Sequence, residues 1–178
     1  MSRWTDLRLP AAHEMLIGFY DLTGYTVYSA SHEPRDILEL MAGYFHLTGR
    51  IIAESGGRLI KTLGDAGLCA FFAEDTDAGV RALRRVQHDG DAWLLKQGYK
   101  SRAVVKMHLG PVALGLVGAP GTEILDVYGK TVNTAAVLQS NGFALSPAAF
   151  RGLKPETRTL FKKHTPPISY IASEDRHS

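Results

Sequence analysis

The chain has a single cysteine, Cys69. One thiol excludes an internal disulfide framework and any cysteine-based zinc site. It falls inside the apolar run AGLCAFF, which marks a buried structural thiol rather than a nucleophile. No apolar run approaches roughly 18 residues, so nothing reads as a bilayer span. The opening MSRWTDLRLPAAHE has neither the basic end nor the apolar centre of a secretory signal, and the expectation is a cytoplasmic protein. Charge of one sign is missing too. The 20 basic and 18 acidic residues leave a net +2, which points neither to nucleic acid nor to an anionic membrane. The aromatics are dispersed, giving no stacking platform for single-stranded nucleic acid. The histidines show no His-x-x-x-His spacing, so zinc is not expected. Internal repeats, low-complexity tracts and long linkers are absent as well.

What is present suits one soluble domain over 1–178, with a core at about 13–172. A composition of 45% apolar and 21% charged residues supplies enough apolar side chains for a real core. His13 to Asp21, HEMLIGFYD, reads as a strand buried on both faces. Residues 34–55 place Ile37, Leu38, Met41, Tyr44, Phe45, Ile51 and Ile52 at helical spacing, with Pro34 in the first turn and Gly56-Gly57 as the stop. RLIKTL and GLCAFF read as a hairpin turning at Gly64-Asp65. A second helix spans about 76–97, with a possible interruption at His88-Asp89-Gly90. AVVKMHLG and VALGLVG read as two strands joined at Gly110-Pro111. ILDVYG is a short strand and KTVNTAAVLQS a third helix. A helical turn at SPAAF, an irregular basic stretch and a last strand, ISYIA, complete the chain. The order predicts an α+β class: a ferredoxin-like βαββαβ sandwich on a mainly antiparallel sheet, with extra C-terminal strands and helices.

Two carboxylates stand out. Asp21 ends the first strand, and a carboxylate leaving a buried strand is costly unless something pairs with it. Asp65 sits at the hairpin tip, and in a β-α-β-β arrangement that tip adjoins the end of the first strand. Two facing carboxylates repel unless they share a proton or a cation, and oxygen ligands of this kind suit magnesium or manganese. The bland alternative is a helix cap at Asp21 and a turn former at Asp65. LTGYT adds a glycine turn leading toward a helix start, where backbone N–H groups favour a phosphate. GAPG at 118–121 reads as a β-turn, and His108 as a strand residue packed near the hairpin.

Four segments, FYDLTGYT, GGRLIKTLGDAGLCAFF, MHLGPVALGLVG and LDVYGKTVNTAAVL, occur in the order found in class III nucleotidyl cyclase catalytic domains. They resemble that family's Phe-x-Asp-x-x-Gly-Phe-Thr, Lys-Thr-x-Gly-Asp, His-x-Gly-x-Val and Asp-x-x-Gly-x-x-Val-Asn segments. The resemblance implies two Mg²⁺ or Mn²⁺ ions on Asp21 and Asp65, activating the ribose 3′-hydroxyl for attack on the α-phosphorus with release of pyrophosphate. It implies that the N–H groups of Leu22, Thr23, Gly24, Tyr25 and Thr26 hold the β- and γ-phosphates. Lys61 and Asp126 match the pair that selects adenine, and Asn133 the asparagine that orients the ribose. Lys162 aligns with the lysine that meets the terminal phosphates; Lys163 is the alternative, because the tail fixes no register.

One position departs. Where the family reads Asn-x-Ala-x-Arg, this chain reads NTAAV, with Val137 in place of the arginine that stabilises charge on the α-phosphate. Losing one such donor typically slows a reaction by about 10²–10³. Lys130, on the same helical face as 133, 134 and 137, is a candidate substitute; Arg102 and Arg151 are weaker ones. In the family the metal aspartates and the asparagine come from different subunits, which implies a homodimer with active sites at its interface. The expected activity is therefore a nucleotidyl cyclase, ATP favoured, slowed by Val137. A degenerate domain that binds nucleotide and signals by dimerising is the competing expectation, and a cyclase for GTP or a pyrimidine nucleotide the third.

Overall fold

The computed structural model describes residues 3–175. In chain order the elements begin with β1 (Ala11–Leu22), α1 (Tyr25–Ala30), α2 (Pro34–Glu54), β2 (Arg58–Leu63) and β3 (Ala66–Phe72). A 3₁₀ turn (Ala73–Asp75) then leads into α3 (Thr76–Lys96), β4 (Ala103–Val117), β5 (Ile124–Tyr128) and α4 (Lys130–Val137). β6 (Phe143–Leu145), α5 (Pro147–Arg151), α6 (Pro155–Arg158), β7 (Phe161–His164) and β8 (Ser169–Ala172) complete the chain. The sheet order is β2-β3-β1-β4-β6-β8-β7, with β5 paired to β4. β1 is antiparallel to both β3 and β4, and among the described residues only β4 and β6 run parallel. The β1-α2-β2-β3-α3-β4 portion is the ferredoxin-like core, as the strand order predicts.

The two long helices cover one face. Leu16 and Tyr20 of β1 meet Tyr44, Ile52, Leu83 and Val86 in the larger of two apolar cores. α3 can come close because Gly18 and Gly79 have no side chain: a Cβ on Gly18 would lie 2.9 Å from Leu83, and one on Gly79 2.8 Å from Phe71. The Cys69 thiol is fully buried there, and burial pushes its pKa far up, which agrees with a structural role. On the opposite face Met15, Ile17, Leu68, Phe72, Val112 and Val127 form a second core. It is closed by Ala135 of α4 and by Trp4, whose indole N–H donates to the Gly56 carbonyl at 3.0 Å.

Three expectations change. Gly110-Pro111 does not turn the chain: β4 runs through both residues, and Pro111 stands opposite Glu14 of β1. Its missing N–H breaks no ladder on the other edge, because β4 meets β6 at Val105–Met107 and β5 at Ala113–Val117, on either side of it. The freed Pro111 carbonyl instead accepts the Thr131 hydroxyl at 2.6 Å and seats α4. His88-Asp89-Gly90 leaves α3 unbroken; at Gly90 the helix passes Tyr44, and a Cβ would stand only 3.0 Å from that ring. The basic stretch before ISYIA is not irregular, since Phe161–His164 forms β7 and pairs with β8. The turn at 118–121 is as read, with Thr122 N–H on the Ala119 carbonyl at 2.9 Å.

Candidate active site

The structure brings Asp21 and Asp65 together. The Asp65 carboxylate accepts the Leu22 N–H at 3.0 Å, tying the hairpin tip to the residue after Asp21. Burial of its surroundings raises the Asp21 carboxyl; Lys106 pulls it back, and the Asp65 charge raises it further. None of the ion pairs among the described residues involves either aspartate. No group of three or more His, Cys, Asp or Glu side chains converges among the described residues. The pair is thus two hard oxygen donors. Such a set fits Mg²⁺ or Mn²⁺ and leaves most of an octahedral shell to phosphate oxygens and water.

The glycine turn follows directly. Gly24 has φ of 76°, a left-handed conformation that favours glycine, and it opens α1. Two of the five N–H groups named above are engaged within the protein: Leu22 donates to Asp65, and Thr23 donates to the Arg102 carbonyl at 3.0 Å. Those of Gly24, Tyr25 and Thr26 stand at the helix start, where no intrahelical acceptor exists. Thr23 is held from several sides. Its carbonyl accepts the Tyr99 and Ser101 hydroxyls, both at 2.9 Å, and its own hydroxyl accepts the Arg102 N–H at 3.0 Å.

Lys61 and Asp126 also meet. Their Nζ and Oδ2 stand 2.7 Å apart, joining β2 to β5 across the sheet face. Asp126 is buried and its second oxygen accepts the Val127 N–H at 2.8 Å. Beside them opens a groove of about 680 Å³, walled by Trp4, Leu9, Ile60, Leu116 and Leu125. The N-terminal wall carried no sequence signal.

The remaining residues stand apart. Asn133 is exposed on α4, and Val137 is 76% exposed at its end. The helix does extend back to Lys130, which is exposed at its start. Lys162 on β7 donates to the carbonyls of Ser173 and Asp175, at 2.9 and 2.7 Å. Arg102 pairs with the buried Asp175 carboxylate. His108, on β4, is separated from the β2–β3 hairpin by β1; its Nδ1 meets the Ser146 hydroxyl at 2.7 Å. Ser146 accepts the Ala149 N–H, so its hydroxyl proton is free for an unprotonated Nδ1, and burial lowers the His108 pKa accordingly.

Comparison with known proteins assigns the chain. The model of the adenylate and guanylate cyclase catalytic domain matches residues 9–154, and the chain belongs to that family. It is 30% identical over 137 residues to an adenylate cyclase of Anabaena cylindrica, covering 72% of this chain and 27% of that one. It is 28% identical over 147 residues to the receptor-type guanylate cyclase Gyc76C of Drosophila melanogaster, covering 76% of this chain and 9% of that one. The chain therefore spans under a third of the length of the curated relatives it matches. A solved bacterial light-regulated adenylyl cyclase has the same fold, with a TM-score of 0.80 at 20% identity over 96% of this chain and 54% of that one. Among the described residues no helix is long and apolar enough to cross a membrane.

Proposed function

We propose that this domain is a divalent-metal-dependent nucleotidyl cyclase. It converts a nucleoside triphosphate, ATP favoured, into the 3′,5′-cyclic nucleotide and pyrophosphate, within a homodimer whose interface holds the active sites. The observation that carries the reading is the convergence of Asp21 and Asp65 beside an N–H-lined turn, with no ion pair to either among the described residues. Mg²⁺ or Mn²⁺ held there would supply charge for the phosphates and lower the pKa of the ribose 3′-hydroxyl.

The chain's own groups do the rest. Gly24, Tyr25 and Thr26 offer N–H donors to the β- and γ-phosphates. Asp126 accepts from the adenine N6 amino group while Lys61 donates to N1, and their 2.7 Å contact fixes both before the base arrives. Guanine reverses that pattern, presenting O6 and N1–H. Asn133 orients the ribose from α4 of the second copy, and Lys162 meets the terminal phosphates once it leaves the Ser173 and Asp175 carbonyls.

A second reading rests on the exposed Val137 and on the engaged Lys162: a cyclase-homology domain that binds nucleotide, turns over little and signals by dimerising. One assay separates the readings. Purified protein is incubated with Mn²⁺ and ATP, GTP, CTP or UTP, and products are resolved by mass spectrometry. A cyclic product lost in Asp65→Ala supports the cyclase and names its base. Nucleotide binding with no cyclic product from any of the four favours the second reading.

A further inference from the structure

Val137 leaves the α-phosphate without the family's cation, and Lys130 stands six residues from Ala136 along α4, about 9 Å of helix axis. A different lysine is closer to the acidic pair. On the β1–β4 ladder Lys106 faces Phe19, and Val104 faces Asp21. Residues opposite one another share a face, as do those two apart, so Lys106 and Asp21 are diagonal neighbours on one face. That spacing, roughly 7–8 Å between backbones, lies within reach of a long side chain. Both line a cavity of about 100 Å³ together with Ala66 and Ala136. Among the described residues the ammonium makes only a long contact, 3.4 Å, to the Ala136 carbonyl. It thus stands beside the carboxylate pair, on the copy that supplies the aspartates rather than on the one whose α4 meets the ribose. Of the charges acting on Asp21, which burial raises, Lys106 is the strongest.

We propose that Lys106 is the cation that faces the α-phosphate of the bound nucleotide, serving from β4 the role that Val137 leaves open on α4. The proposal rests on the metal-dependent cyclase reading. It carries a signature that a merely structural lysine does not have. With no nucleotide present, an ammonium beside Asp21 opposes a divalent ion; with nucleotide bound, the same ammonium attracts the phosphate. Removing it therefore moves the two affinities in opposite directions.

The test uses the full chain and two titrations: Mn²⁺ alone, followed by electron paramagnetic resonance, and 3′-deoxy-ATP at saturating Mn²⁺, which lacks the attacking hydroxyl and cannot cyclise. Lys106→Met should bind Mn²⁺ about five-fold more tightly, from the lost charge repulsion. It should bind 3′-deoxy-ATP about ten-fold more weakly, from the lost charge-assisted hydrogen bond. Lys106→Arg should stay near the parent in both, and Lys106→Gln replaces the methionine variant if that one unfolds. Shifts of the same sign, or no shift, overturn the proposal and leave Lys106 as a cap on the α4 carbonyls, visible only as lower thermal stability. Asp65→Ala separates this failure from the other. If it binds Mn²⁺ as well as the parent, the metal reading is wrong and the proposal goes with it. If it loses Mn²⁺ while Lys106→Met changes nothing, only the lysine's role is overturned.

Discussion

Asp65 and Asp126 are the same side chain on one sheet, placed in opposite circumstances. Asp126 is buried, with one oxygen 2.7 Å from an ammonium and the other on a backbone N–H. Its charge is matched, and what remains is a fixed pattern of donor and acceptor on the face of the sheet. Asp65 has one hydrogen bond from Leu22 and a second carboxylate, Asp21, for company. No ion pair among the described residues matches its charge, and in the proposed cyclase a divalent cation would do so. Asp91 is a third kind, a carboxylate half-enclosed at the start of β4 with the Ala103 N–H at 2.8 Å, and burial pushes its pKa up to about 6.

The most damaging change to this contrast is Asp65→Asn. The amide oxygen still accepts the Leu22 N–H, so the turn survives while the charge goes. Cyclase turnover should fall by about 10³-fold or more, measured as cyclic product per minute; an activity above a tenth of the parent's would make Asp65 a turn former. Next is Val137→Arg, which returns a guanidinium to an exposed position; with Lys106 in place the gain in kcat should be small, and in a Lys106→Met background it should reach about 10–10². No gain in that background, read in a steady-state assay, would mean that a group other than Lys106 serves the phosphate. Lys61→Met converts the matched carboxylate into an unmatched one. It should cost about 1–2 kcal/mol in urea unfolding, modest because the Lys61 side chain is partly exposed, and narrow any ATP-over-GTP preference about ten-fold.

The smallest effect belongs to Asp91→Asn, whose amide keeps the Ala103 hydrogen bond. Asp91 titrates near 6 when folded and near 3.8 when unfolded, so the unfolded chain releases its proton first as pH rises. The parent therefore loses stability between about pH 4 and 6, and the advantage of the asparagine variant should grow over that interval and then level. Discounted for partial exposure, the gap is about 1 kcal/mol, read from unfolding curves at pH 4.5, 5.5 and 7.

Much of this was legible in the residues, and the limits have physical causes. The helices over 34–54 and 76–96 and the hairpin at Gly64-Asp65 follow from period and turn chemistry, and those elements alone place Asp65 beside Asp21. Gly110-Pro111 misleads because the signal for a turn is also tolerated in a strand where neighbouring ladders happen to stop. The Lys61–Asp126 contact spans 65 positions, and only the resemblance joined them in advance. The engaged Leu22 and Thr23 amides, like the position of Lys106, depend on register across β1 and β4, which no local pattern encodes. Gly67 reads only as the first residue of the strand GLCAFF, yet it is small because the Tyr20 ring lies where its Cβ would be, at 2.3 Å. That ring is held by the Thr48 hydroxyl at 3.0 Å, and so the strand that carries Asp21 is set by a helix below it.

The bonds around Thr23 bear on timing. A loop that orders itself around a phosphate gives up conformational freedom at each encounter, and its affinity is lowered by that loss. Here the 99–102 segment has ordered Thr23 through four hydrogen bonds before any ligand is present. The freedom is surrendered once, when the chain folds, and in the proposed cyclase the turn would meet each nucleotide already shaped. Its Thr23 amide should exchange with deuterium as slowly as the strands beside it, whether or not nucleotide is bound.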